Sequence, residues 1–323
     1  MSPTNHRDHL SRYARLIPRL DSVRADAVFG WRRLNQTKVT SAAAILSLAL
    51  AIGACTSAFR LIDALLFRPL PVANPDRLHV IAFEGVSITD GKHLVWDSCS
   101  YPMFSQMRDM LRADAELMAV SYAERSDLTY TSDQEMEKAY RQFVSGTMFT
   151  TFGQRPAKGR LLTATDDVKP GGHPVVVLSY DYWTNRFGRD PKAIGRTVRM
   201  GDDLYEIIGV APEGFTGTET GIMTDLFLPM MMKNPRTLAS NNNFWLRTLV
   251  DLKPGVDSER LQERMRALFR AIEEERAKGF SEATRRRFRQ DTLVLQPAAG
   301  APAVQIRLTG VRRVLLPRVS YFV

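Results

Sequence analysis

The chain has 323 residues, 44% of them hydrophobic and 24% charged, a balance that supports one large or two moderate folded domains and excludes wholesale disorder as the default. Its formal net charge of +9 invites a nucleic-acid-binding reading, but the excess sits at the two ends: +5 over residues 1–59 and +4 after Ile306, with 32 basic and 32 acidic residues between them. A body that bound nucleic acid would carry the excess itself, so no nucleic-acid partner is expected.

Within residues 1–38, Val23, Ala27, Val28, Trp31 and Leu34 share one helical face, with Arg24, Arg32 and Arg33 elsewhere on the turn. This pattern predicts a basic amphipathic helix on a membrane surface. From Val39 to Phe59 the chain carries no charge over 21 positions, long enough for a helix to cross a bilayer core of about 30 Å. The competing reading is the buried core helix of a soluble protein, against which stand the length and the charged residues at both ends. Ile52-Gly53-Ala54-Cys55 also resembles a lipobox. The long stretch before it and the apolar pattern continuing through Phe67, before Pro69 and Pro71 stop it, favour a spanning helix with an extension over 39–67. The Lys/Arg bias (Arg19, Arg24, Arg32, Arg33 and Lys38 before the span; Arg60, Arg68 and Arg77 after it) predicts a cytoplasmic N-terminus. Residues 60 onward then lie outside the inner membrane, in the periplasm. The two cysteines, Cys55 in the span and Cys99, are not expected to pair.

After the Pro-rich break, residues 72–297 alternate strand and helix signals. Leu78 to Phe83 reads as a strand. Tyr101 to Leu111 reads as a helix with Ser100 at its N-cap and Pro102 in its first turn. Leu117 to Tyr122, Leu128 to Thr131 and Ala139 to Val144 read as strands, the last leading into a short helix from Met148 to Phe152. Val175 to Leu178 is an apolar strand after the Gly171-Gly172 turn. Ser179 then caps a helix carrying Tyr182, Trp183 and Phe187 and ended by Gly188. Thr197 to Met200 and Tyr205 to Val210 form a hairpin about Gly201-Asp202-Asp203. Gly214 to Asn243, rich in Gly and Asn, is expected to divide the domain into lobes. Trp245 to Leu252 is a strand, Ser258 to Lys278 a helix with Leu261, Met265, Leu268, Phe269 and Ile272 inward, and Thr292 to Leu295 a last strand. The fold class is therefore α+β.

Signs of chemistry are sparse. There is no Walker A motif, and Gly171-Gly172-His173 precedes a strand without the order a dinucleotide site needs, so it reads as a turn. His6, His9, His79, His93 and His173 are scattered. Ser145 lacks a nucleophile setting. Glu273, Glu274 and Glu275 read as a solvated helix face, and Met230, Met231 and Met232 as apolar packing. No catalytic residue, cofactor or metal site is assigned.

Several stretches carry a resemblance: Leu48-Ala49-Leu50-Ala51-Ile52-Gly53-Ala54, Ile62-Asp63-Ala64-Leu65-Leu66-Phe67-Arg68-Pro69-Leu70-Pro71 and Asn74-Pro75-Asp76-Arg77-Leu78. Tyr101-Pro102-Met103-Phe104, Val144-Ser145-Gly146, Gly159-Arg160-Leu161-Leu162, Ile207-Ile208-Gly209-Val210-Ala211-Pro212 and Leu252-Lys253-Pro254-Gly255-Val256 follow in order. Over about residues 20 to 297 the sequence resembles MacB/FtsX-type ABC transporter permeases, in particular the acidobacterial-type permeases.

The resemblance implies a transmembrane helix followed by a MacB-like periplasmic core domain with a porter-like βαβ lobe and an inserted second lobe. It also implies a separate cytoplasmic ABC ATPase subunit as partner, the external domain moving as a mechanical lever without catalysis. Small residues along the span permit a homo-oligomer without demanding one. Residues 298–323 depart from the pattern. Where such permeases continue into further membrane helices, arginines interrupt every apolar run here. The expectation is a truncated or frame-shifted permease, with a multi-helix region readable in the other frames downstream. The alternatives are a stand-alone single-pass binding protein and an anchored periplasmic hydrolase.

Overall fold

The structure, a computed structural model, describes residues 38–62, 75–86, 91–130, 136–219 and 221–298. The basic N-terminal segment with its amphipathic stripe and His6 and His9, the helix extension through Phe67, the Pro-rich break and the tail from residue 299 lie outside the described residues. The chain divides into two compact units, Met1–Ala64 and Leu65–Val323.

In the first unit, helix α1 (Lys38–Ile62) is built from Ala and Leu, strong helix formers. The Thr56 hydroxyl donates to the Ile52 carbonyl at 2.7 Å, which satisfies it inside an apolar stretch. Lys38–Phe59 has a mean hydropathy of 2.0 over 22 residues, long and apolar enough to cross a membrane. Its large side chains are uncovered, Leu50 to 76%. A soluble core helix buries such residues, and this one does not.

The second unit is organised by one 13-stranded mixed sheet. Four of its strands and two helices form a platform: β1 (Leu78–Val86), α2 (Tyr101–Leu111), β4 (Ala115–Ser121), β12 (Leu246–Leu252), α6 (Ser258–Ala277) and β13 (Thr292–Pro297). The short strands β2 (His93–Trp96) and β3 (Ser98–Cys99) pair with β1 and β12. The spatial order β13-β1-β12-β4, every neighbour antiparallel, makes β1-α2-β4 and β12-α6-β13 two βαβ units interleaved in a split βαβ arrangement.

Residues 122–245 are inserted between β4 and β12. They supply β5 (Glu124–Leu128), β6 (Glu137–Val144), α3 (Met148–Thr151), β7 (Lys158–Gly159), β8 (Val175–Leu178), α4 (Tyr180–Phe187), β9 (Thr197–Met200), β10 (Asp203–Val210), β11 (Leu226–Pro229) and α5 (Pro235–Ala239). The sheet continues from β4 as β6-β11-β8-β10-β7. Its narrowest point is the junction: β4 exchanges seven residue pairs with β12, Leu246↔Ser121 through Leu252↔Ala115, but meets β6 only at Val120↔Val144.

Both faces of the sheet are covered, and the period-2 alternation of strands sorts residues between two cores. Leu117, Ala119, Val176, Leu178, Leu226 and Leu228 join the larger core with α2, α4 and α6. Their neighbours Met118, Val120, Val177 and Phe227 join a second core with Phe149, Phe152 and Phe215. The rings of Phe149, Phe215 and Phe227 meet pairwise at 5.4–5.5 Å, a favourable aromatic spacing.

Helix α2 has the expected bounds, and the Met103 amide donates to the Ser100 hydroxyl. Ser179 caps α4 by accepting from the Tyr182 amide at 3.1 Å, and Gly188 ends it in the left-handed conformation, φ 57°. Three expectations are corrected. The strand placed at Leu128 to Thr131 lies at Glu124–Leu128, where a polar edge strand pairs with β6 over five residues. The stretch from Gly214 to Asn243 is no boundary: it carries β11, buried in the middle of the sheet. The lobe boundaries fall instead at residues 121–122 and 245–246. Glu273 is 4% exposed on α6, paired with Arg276, so only the rest of the glutamate run faces solvent.

Candidate functional site

The junction between platform and inserted lobe holds a buried polar network. Its members come from four places: the ends of the platform strands, Asp97, Ser121 and Arg247; the first residue of the insertion, Tyr122; the first long strand of the insertion, Gln142; and the loop before β11, Thr218, Glu219 and Thr224. On β12, Arg247 shares the parity of Leu249 and so lies on the face of the second core. On β6, Gln142 shares the parity of Val144 and lies there too. In strands with only one face covered, these side chains would point to water. Here residues 214–219 and 221–224 close over them.

Arg247 is 6% exposed. Its Nη2 donates to Thr218 Oγ1 at 3.2 Å and to the Thr218 carbonyl at 3.4 Å, and lies 3.5 Å from Glu219 Oε1. Glu219 Oε1 also accepts from the Ala123 amide at 3.0 Å, tying the loop to the first residues of the insertion. The guanidinium lies over the Tyr122 ring, 5.2 Å from its centroid, a cation–π placement. The Tyr122 hydroxyl donates to Asp97. Burial, then the Asp97 charge and hydrogen bond, raise its pKa well above the ordinary phenol value, against the opposing Arg247 charge, so it stays a donor. Gln142 Nε2 donates to the Ser121 carbonyl and to Thr218 Oγ1, both at 2.8 Å. Ser121 Oγ accepts the Phe143 amide at 2.9 Å. Among the buried polar atoms without a hydrogen-bond partner are Arg247 Nε, Gln142 Oε1 and Thr224 Oγ1.

None of these residues was marked by the sequence. Their only signal is an Arg on β12 and a Gln on β6, and alternation reads both as solvent-facing. Residues that sequence reading weighed for chemistry serve the backbone instead. Ser145 Oγ accepts the Ala119 amide at 2.7 Å. Met230 and Met231 pack in the larger core, and Gly171, φ 67°, turns the chain before β8. His79, His93 and His173 are not brought together; among the described residues, no group of three or more His, Cys, Asp or Glu could hold a metal ion. Cys99 is buried with its thiol pushed up to about 12, chiefly by desolvation, while Cys55 is exposed on α1.

An apolar helix long enough to cross a membrane, followed in the chain by a split βαβ platform bearing an inserted lobe, fits a membrane-anchored protein. The MacB-like periplasmic core domain model matches residues 41–268, and the chain belongs to that family. Comparison with curated proteins finds no match. A domain assigned to a permease of Porphyromonas gingivalis superposes with a TM-score of 0.52 at 16% identity, over 70% of this chain and 91% of that one. The periplasmic region of MacB from Actinobacillus actinomycetemcomitans gives 0.48 at 12% identity over 70% and 91%. The extracellular domain of the ABC-type transporter YknZ from Gram-positive bacteria gives 0.46 at 13% over 67% and 99%.

Proposed function

We propose that this chain is a permease-type subunit of an ABC transporter whose folded body relays motion between α1 and partners outside the membrane rather than performing catalysis. The observation that carries this reading is the junction. Two lobes share one sheet, yet their strands pair across the junction only at Val120↔Val144, and the buried network and side-chain packing join them elsewhere. A stiff two-part body with a narrow, specifically bonded seam suits the transmission of force. The Lys/Arg bias supports a cytoplasmic N-terminus and an external body at the inner membrane. The resemblance to MacB/FtsX permeases supports a separate cytoplasmic ATPase, of the MacB or lipoprotein-releasing type, as partner.

Cross-linking in native membranes followed by purification of the full chain tests the reading. An ABC-type ATPase subunit should be recovered with it, and external protease should cleave the body in spheroplasts. Recovery of the cross-linked chain without any ATPase would overturn the transporter reading and leave a stand-alone binding protein.

A further inference from the structure

The junction network contains a mismatch that points to a second arrangement. Arg247 Nε is a buried donor without a partner, and Gln142 Oε1 is a buried acceptor without one. Such groups are costly and rare in folded proteins. The two are complementary, and they stand on opposite sides of the seam, Arg247 on the platform and Gln142 on the inserted lobe. They are also neighbours, because Arg247 Nη2 and Gln142 Nε2 both donate to the same atom, Thr218 Oγ1. What separates the two side chains is the wedge Gly217-Thr218-Glu219.

We propose that this wedge is removable: when it withdraws, Arg247 and Gln142 pair directly across the seam and change how the two lobes are joined. Inserted, the wedge offers Arg247 a buried carboxylate, Glu219, and leaves one donor and one acceptor unmet. Withdrawn, it takes Glu219 to solvent, and the orphan donor and acceptor satisfy each other. The Arg247 charge keeps the Tyr122 ring and the nearby Asp97 carboxylate, neither of them part of the wedge. Two packings with such offsetting gains and losses are the ingredients of a bistable element. The wedge is held in place by close packing at its first residue. Gly217 at φ 99° sits in a conformation that favours glycine, and a Cβ there would lie 2.5 Å from Thr224 Oγ1. The latch concerns the lobes alone; only its coupling to transport rests on the permease reading, so failure to find an ATPase leaves this test unaffected.

Hydrogen exchange on the full chain in detergent, with fragmentation to single amides, reads the two states separately. The amides of Ala123, bonded to Glu219, and Thr224, bonded to the Thr216 carbonyl, report the wedge. The amide of Phe143, bonded to Ser121 Oγ, reports the seam itself. Thr218→Val removes the oxygen both donors use and should speed exchange at Ala123 and Thr224 about tenfold, with Phe143 unchanged. Adding Gln142→Leu deprives the withdrawn state of its new bond and should slow those two amides again. Unchanged exchange in Thr218→Val, equal acceleration at Phe143, or further acceleration on adding Gln142→Leu would each overturn the latch. Should Thr218→Val not fold, Gly217→Ala, which forces the wedge outward, is read in the same way with and without Gln142→Leu.

Discussion

Gln262 and Arg266 stand one helical turn apart on α6 and cap two alternate backbone groups on the outer edge of β13. Gln262 Oε1 accepts the Leu295 amide at 2.6 Å, and Arg266 Nε donates to the Leu293 carbonyl at 2.8 Å. The match is geometric: four helical residues rise about 6 Å, and two strand residues span about 6.6 Å. Among the described residues the sheet ends at this strand, and a bare edge is a template for pairing with another chain. Gln262→Ala with Arg266→Ala should cost about 1–3 kcal/mol and raise self-association of the detergent-solubilised protein. Denaturant titration and light scattering check the two effects; a monodisperse double variant would mean that β13 is shielded by something else.

Asp291 gives a pH dependence. It shares a pocket of about 280 Å³ with Glu273, Arg276's partner on α6. A Cβ on Gly85 of β1 would collide with its carboxylate. Burial first, and then the Glu273 charge, push its pKa up to about 7, while the Arg276 charge and a hydrogen bond from the Val86 amide oppose the rise. A carboxyl raised above its unfolded value of about 3.9 favours folding most when protonated. Its contribution is complete below about pH 4, is lost as pH rises toward about 7 and is level above that. Asp167, pushed up to about 6 chiefly by burial, acts in the same direction, so the comparison must be made between variants. Asp291→Asn should match wild type near pH 4 and exceed it in denaturant midpoint at pH 8. Equal midpoints at both values would place Asp291 in solvent-like surroundings.

Much of this fold is legible in the sequence wherever one local rule decides. Ser100 with Pro102, and Ser179 with Gly188, mark helix ends because capping is a matter of a few adjacent residues. The hairpin about Gly201 follows from turn chemistry. Legibility fails where tertiary cover reverses the local signal. Glu124–Leu128 is polar enough to read as loop, and only pairing with β6 makes it a strand. Glu273 belongs to an acidic run yet is covered where Phe288 of helix α7 (Glu282–Phe288) stacks on Arg276, 4.6 Å from its ring. Arg247 and Gln142 read as outward residues of alternating strands, since nothing local shows that a loop some 30 residues before Arg247 and 80 after Gln142 will cover them.

Phe227 joins the two cores' logic to stability. It is fully buried on β11, with Phe149 and Phe215 against its ring. Phe227→Ala should destabilise the body by about 3–5 kcal/mol, measured by denaturant unfolding. Leu204→Ala, at a half-exposed site, should change it by less than about 1 kcal/mol.

Membrane insertion of α1 depends on unbroken apolarity, and Leu48 lies near the middle of the Lys38–Phe59 stretch. A central Arg costs about 2.5–3.5 kcal/mol on insertion scales. Here the span is rich in Ala, so its favourable total is modest and such a cost is a large fraction of it. Wild-type protein should stay in the pellet when vesicles are washed with alkaline carbonate, and Leu48→Arg should shift a substantial part to the supernatant. Leu48→Ala should behave as wild type, which separates loss of apolarity from loss of a particular contact. Release of the wild-type chain by the same wash would show that α1 does not span the bilayer.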